Sequence, residues 1–150
     1  MRRNWIVAGT IGLAAAGAAL AATPADMIHA RQQNYKQIGK AMKGIGDELK
    51  GGSPSVPTIQ ADAKTIATLA PQVPSWFPKG TGPEAGVKTG ALPAIWQNNA
   101  DFQVAAKNFA VAAQNFNAVA AKGDLAQIAD AQRALGGACK SCHERFRQKD

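Results

Sequence analysis

The sequence predicts an all-α chain arranged as an up-down-up-down four-helix bundle. Three observations carry that reading. Apolar residues recur at intervals of three and four through four separate stretches, the spacing that lines one face of a helix. Segments rich in Pro and Gly fall between those stretches, around 51–54, 71–92 and 122–123, where helices stop. No stretch shows the sustained alternation of a strand-rich domain.

The front of the 150-residue chain lies outside this pattern. Arg2 and Arg3 form a basic start, Trp5 to Leu20 is an apolar run, and Ala19-Leu20-Ala21 offers small residues at the −3 and −1 positions of a cleavage site. Residues 1–21 therefore read as a secretory signal peptide, cleaved after Ala21 within about two residues. The other reading is an uncleaved anchor, for which the run is short. The Arg pair alone is a weak twin-arginine feature, so general secretion is the simpler route. Residues 22–150 remain as one domain, long enough to bury a core. The formal charge of +7, less Arg2 and Arg3, becomes +5. The Lys residues are scattered, which leaves a nucleic-acid role without support. A mildly basic surface suits an acidic redox partner.

Thr23-Pro24-Ala25-Asp26 reads as a helix start: Thr23 caps, Pro24 suits the first helical position and Asp26 the first turn. Ile28, Arg31, Tyr35, Ile38, Met42, Ile45 and Leu49 then follow at alternating spacings of three and four, predicting a first helix over 25–50. Gly51-Gly52-Ser53-Pro54 stops it. Ile59, Ala63, Ile66, Leu69 or Ala70, and Val73 predict a second helix over 56–71, ended by Pro71 and Pro74. The loop over 72–92 is too long for a plain connector, and Trp76 and Phe77 suggest that it packs onto the bundle. Pro93 opens a third helix. Ile95, Phe102, Phe109 and Phe116 recur every seven residues, with Ala between them, as a core stripe ending at Lys122-Gly123. Asp124 caps a fourth helix with Leu125, Ile128, Leu135, Cys139, Cys142 and Phe146 on one side. Gly136-Gly137 is costly inside a helix and predicts something bulky close to the backbone.

Cys139-Lys140-Ser141-Cys142-His143 has the C-x-x-C-H pattern of c-type haem attachment. Two thiols three residues apart share a helix face, so both reach one ring edge and join its vinyl groups. His143 follows as the axial ligand to iron. Three other readings stand beside this one. A redox dithiol wants a βαβ context, a structural zinc site wants four ligands, and a disulfide across two residues on a helix is strained. An export signal and this motif agree with each other.

The only Met residues are Met1, Met27 and Met42, all upstream of the motif. In an up-down bundle the end of the last helix meets the start of the first, so residues of about 27–36 should face the iron's far side. Tyr35 and Arg31 share the inward seam. His29 lies about 100° round the helix from Ile28 and reads as a surface residue. Met42 is roughly 10 Å beyond Tyr35 along the axis and reads as core. The simplest outcome is five-coordinate, high-spin iron with Tyr35 over an open position.

Together these features resemble the class II c-type cytochromes, and most of all the cytochrome c′ family. The resemblance rests on Arg31-Gln32, Pro93-Ala94-Ile95-Trp96, Gly123-Asp124, the C-terminal C-x-x-C-H and Phe146-Arg147. It implies a left-handed antiparallel four-helix bundle, commonly a homodimer through the first two helices, with one haem c covalently joined to Cys139 and Cys142 and His143 as proximal ligand. It further implies that Arg31 and Gln32 contact the haem and its propionates, that Arg147 lies beside the proximal face, and that Tyr35 takes the distal position. Low-spin relatives carry Met there. Its absence favours a high-spin branch that binds small uncharged gases, nitric oxide above all, in the bacterial periplasm. The alternative is a six-coordinate low-spin electron carrier of a respiratory or photosynthetic chain. No nucleophile–base set stands apart from the haem motif, so an enzyme is not expected.

Overall fold

Residues 22–149 are described by the computed structural model of the chain; the expected signal segment, 1–21, lies outside them. Helix α1 (Pro24–Lys50) starts as its sequence predicts. The Asp26 amide donates to Thr23 Oγ1 at 3.2 Å and the Thr23 amide donates to Asp26 Oδ2 at 3.0 Å. This reciprocal box satisfies donors that a helix start leaves open. Helix α2 (Val56–Leu69) is capped by Ser55. It does not run to 71 as an α-helix. Pro71 and Pro74 lack amide donors, and the chain tightens into a 3₁₀ run, Ala70–Trp76.

The predicted third helix is two. A single turn, α3 (Ala94–Gln97), precedes α4 (Asn99–Ala120), and Asn98 between them leaves helical geometry at φ −114°, ψ 50°. Gln97-Asn98-Asn99 puts two poor helix formers at the joint, and Asn99 Nδ2 donates to the Ile95 carbonyl at 3.3 Å across it. The turn into α5 (Leu125–Phe146) needs a left-handed residue, supplied by Gly123 at φ +77°. Asp124 then accepts from the Ala126 and Gln127 amides at 3.0 and 3.1 Å.

Three sides of the antiparallel four-helix bundle close tightly: α1 on α2, α2 on α4 and α4 on α5. On α2, Ile59, Ala63 and Ile66 are inaccessible; on α4, Ala106, Ala113 and Phe116 face them just as completely. Large beside small residues let the axes approach, and each buried Ile or Phe contributes about 1.5–3 kcal/mol. The fourth side differs. Helices α1 and α5 touch only sparsely, and a cavity of about 600 Å³ separates them.

The 77–92 loop lies over one end of that gap. Trp96 Nε1 donates to the Phe77 and Pro78 carbonyls at 3.1 and 3.0 Å. At the loop's far end the Leu92 amide donates to the Phe146 carbonyl and the Gln148 amide to the Gly90 carbonyl, at 3.0 and 2.8 Å, around one antiparallel bridge between Ala91 and Arg147. Among the described residues no helix is long and apolar enough to cross a membrane.

Candidate functional site

Helix α5 lines one wall of the cavity with Cys139, Cys142, His143 and Phe146, and Arg147 follows just past the helix end. Their spacings of three and four put them on one face. Helix α1 supplies the opposite wall: Arg31, Gln32, Tyr35, Ile38, Gly39 and Met42. Phe77, Ile95, Phe102 and Phe109 complete an apolar interior. The sequence thus brings every predicted site residue to one place. The window on α1 is displaced by about one turn from the expected 27–36. Met42 packs against the core as expected and also borders the cavity, while Met27 and the exposed His29 stay outside it.

Gly136 and Gly137 do not line the cavity. Two other glycines line it, Gly39 and Gly90; an added Cβ at Gly39 meets nothing within 4 Å. Leu125, expected on the inner side of the last helix, is 37 % exposed, because the first turn of α5 runs beyond the packed part of the bundle.

Arg31 is only 3 % exposed, and no described carboxylate forms an ion pair with it. Its Nη1 and Nη2 donate to Thr81 Oγ1 and Thr89 Oγ1, each at 2.9 Å. The guanidinium also sits over the Phe77 ring, 4.7 Å from its centroid. Burial lowers its pKa, against opposing pulls from Tyr35 and Glu84; arginine nonetheless stays charged. Gln32 Nε2 donates to the Lys88 carbonyl at 2.9 Å. So Arg31 and Gln32 both hold the loop. Thr81 and Thr89 went unseen in the sequence, since nothing local marks a hydroxyl fifty residues away as an arginine's partner.

The two thiols, the imidazole and the phenol of the cavity are neutral at ordinary pH. Burial, and then the neighbouring Cys142, push the Cys139 thiol up to about 11. Burial likewise raises Cys142. Both are free thiols. Burial, and then the Arg147 charge, lower the His143 pKa, which leaves the imidazole a neutral donor. Burial raises the Tyr35 phenol well above its usual range. Tyr35 meets Trp76 edge-on with centroids 5.3 Å apart, and Phe77 tilted at 6.3 Å.

A smaller groove of about 270 Å³ lies on the outer face between α4 and α5, around Val111 and Ala134, away from both thiols and both histidines. Among the described residues no group of three or more His, Cys, Asp or Glu gathers elsewhere as a metal cluster. The donors in the main cavity fit a haem. Its vinyl groups take thiols, its iron takes imidazole, its propionates suit a buried guanidinium without a carboxylate partner, and its ring suits apolar walls.

The chain matches the family described as Cytochrome C' over residues 26–147. It is 40% identical over 149 residues to the cytochrome c′ of Rhodospirillum rubrum, covering 98% of this chain and 99% of that one. Among solved structures it is similar, at TM-score 0.80 and 33% identity, to a cytochrome c′ with ligand-controlled dimer dissociation, covering 86% of this chain and 99% of that one. It is also similar, at TM-score 0.76 and 27% identity, to the nitric oxide complex of a single-residue variant of cytochrome c′ from Alcaligenes xylosoxidans, covering 86% and 98%.

Proposed function

From a chain that belongs to the cytochrome c′ family, whose members carry covalently bound haem c, we propose a periplasmic haem protein that binds small uncharged gases, nitric oxide and carbon monoxide, at an open axial position. The observation that supports this is the asymmetry of the cavity's two walls. Helix α5 offers a neutral imidazole beside two thiols, while α1 opposes it with Tyr35, whose buried phenol keeps its proton and is a poor ligand. Bound haem supplies an iron that can hold a diatomic gas and exchange one electron.

In this reading Cys139 and Cys142 hold the ring covalently. Each thiol would supply the sulfur of one thioether to a vinyl group. His143 would supply the imidazole that ligates the iron. Arg31, with Gln32 at the rim and Arg147 beside the proximal face, balances the propionates. Tyr35, Phe102 and Phe109 keep charged ligands and bulk water from the distal side. The group acts by binding and by electron exchange and is not an enzyme. Residues 1–21 serve as the export signal, and 22–150 form the haem domain.

The protein is also proposed to form a homodimer, on the strength of the relative whose dimer responds to ligand. Surplus apolar surface on the first two helices does not supply the reason. The Ile residues of α1 and α2 all point inward, and the large exposed apolar residues, Val104, Val111 and Leu125, lie on α4 and α5.

An optical titration tests the proposal. The reduced protein should show a high-spin spectrum that carbon monoxide and nitric oxide each convert. A sharp low-spin spectrum indifferent to both gases makes it a six-coordinate electron carrier instead.

A further inference from the structure

We propose that Trp76 is a positioning residue that sets how readily Tyr35 clears the distal side of the cavity, and so how fast a small gas reaches the iron; this rests on the gas-binding reading above. Tyr35 is the chain's only tyrosine. Its hydroxyl makes no hydrogen bond to a described residue. No polar tether therefore fixes the ring, and its place is set by packing against two other rings.

Those two rings are held very differently. Phe77 meets Trp96 at 6.1 Å and Phe102 at 5.1 Å, and the Arg31 guanidinium lies over it. Its own carbonyl accepts from Trp96 Nε1 at 3.1 Å. Moving Phe77 disturbs the buried arginine, the core phenylalanine and the loop together. Trp76 closes the 3₁₀ run and, half-buried as Phe77 also is, meets one ring among the described residues, that of Tyr35, with the planes at 87°. A Tyr35 ring that turns into the cavity occupies the ligand's space. A ring that clears it must move against a neighbour, and Trp76 is the neighbour that can yield. The edge-to-face contact is thus the resistance a ligand works against.

The test follows carbon monoxide binding to the reduced holoprotein by stopped flow. Trp76→Ala should speed binding roughly two- to tenfold, the range that an aromatic pair's contribution spans. Trp76→Phe should restore most of the wild-type rate, and Trp76→Ala should add nothing in a Tyr35→Ala background, because the two residues act through one another. Where Trp76→Ala fails to fold, Trp76→Leu carries the same expectation. An unchanged rate in the folded variant, or rate gains that multiply in the double variant, overturns the proposal. A crystal structure of the Trp76 variant gives a second reading that needs no gas: the Tyr35 ring should adopt a new or second position. If the wild type takes up no carbon monoxide, the gas-binding reading itself fails. Trp76's hold on Tyr35 is then judged by that structure alone, and an unmoved ring overturns it.

Discussion

The α2–α4 side of the bundle and the α1–α5 side are written with the same period and end in opposite states. On the first, Ile59, Ala63 and Ile66 of α2 and Ala106, Ala113 and Phe116 of α4 are all buried, and the two helices pack directly. On the second, Arg31, Tyr35, Gly39 and Met42 face Cys139, Cys142 and Phe146 across a cavity of about 600 Å³. Spacing alone decides which face of a helix turns inward. What stands on that face decides whether two helices complete each other or wait for a third body. Ile against Ala interdigitates. A guanidinium, a phenol and a glycine against two thiols leaves room, polarity and reactive groups.

That contrast can be broken at either side. The largest effect belongs to the open side. A Cys139→Ser/Cys142→Ser variant should lose covalent haem altogether, so that acid–acetone extracts whatever haem remains and the protein's mass falls to that of its chain. Phe116→Ala, on the closed side, should cost about 3–5 kcal/mol of unfolding free energy while leaving the spectrum of the bound haem unchanged. Denaturant melts read alongside optical spectra would separate the two. Arg31→Ala should cost about 1.5–3 kcal/mol through its lost hydrogen bonds to Thr81 and Thr89, and should raise proteolysis within 79–90. Arg31→Lys should not rescue it, because one ammonium does not reproduce the two-pronged fork.

The smallest effect concerns neither side but the start of α5. Amides of Gln127 and Ala126, with the Gln127 side chain, hold the Asp124 carboxyl below the usual carboxylate range. A depressed folded pKa gives stability that is present above the unfolded value of about 3.9 and is lost as pH falls through the folded value. Asp124→Ala should therefore lower the melting temperature at neutral pH, and the gap to wild type should shrink in acid.

The closed side was legible in the sequence almost residue by residue, because burying apolar side chains at a fixed period is a local matter. Phe102, Phe109 and Phe116 are buried where their spacing of seven places them, though the first two also wall the cavity. That the C-x-x-C-H side chains share one face was legible for the same reason: the two thiols are near neighbours on one turn. The break at Asn98 was not, since a helix tolerates Asn and only tertiary packing decides where it kinks. Nor was the 3₁₀ run after Leu69, where two prolines change the hydrogen-bond pattern without changing the chain's direction. Gly136-Gly137 misled: an added Cβ at either meets nothing within 4 Å, so no described neighbour lies close to that backbone. The loop's hold on Arg31 was out of reach. Thr81 and Thr89 are ordinary loop residues until the fold brings them to the guanidinium.

The gas-binding role proposed for the open side requires Tyr35 to cover an open position on the iron, and carbon monoxide binding to the reduced Tyr35→Ala protein measures that most directly. Removing a ring packed against both Trp76 and Phe77 should raise the association rate about tenfold or more over wild type, with both proteins high-spin before the gas is added. Equal rates for the two proteins, or a low-spin wild type that takes up no carbon monoxide, would contradict the account.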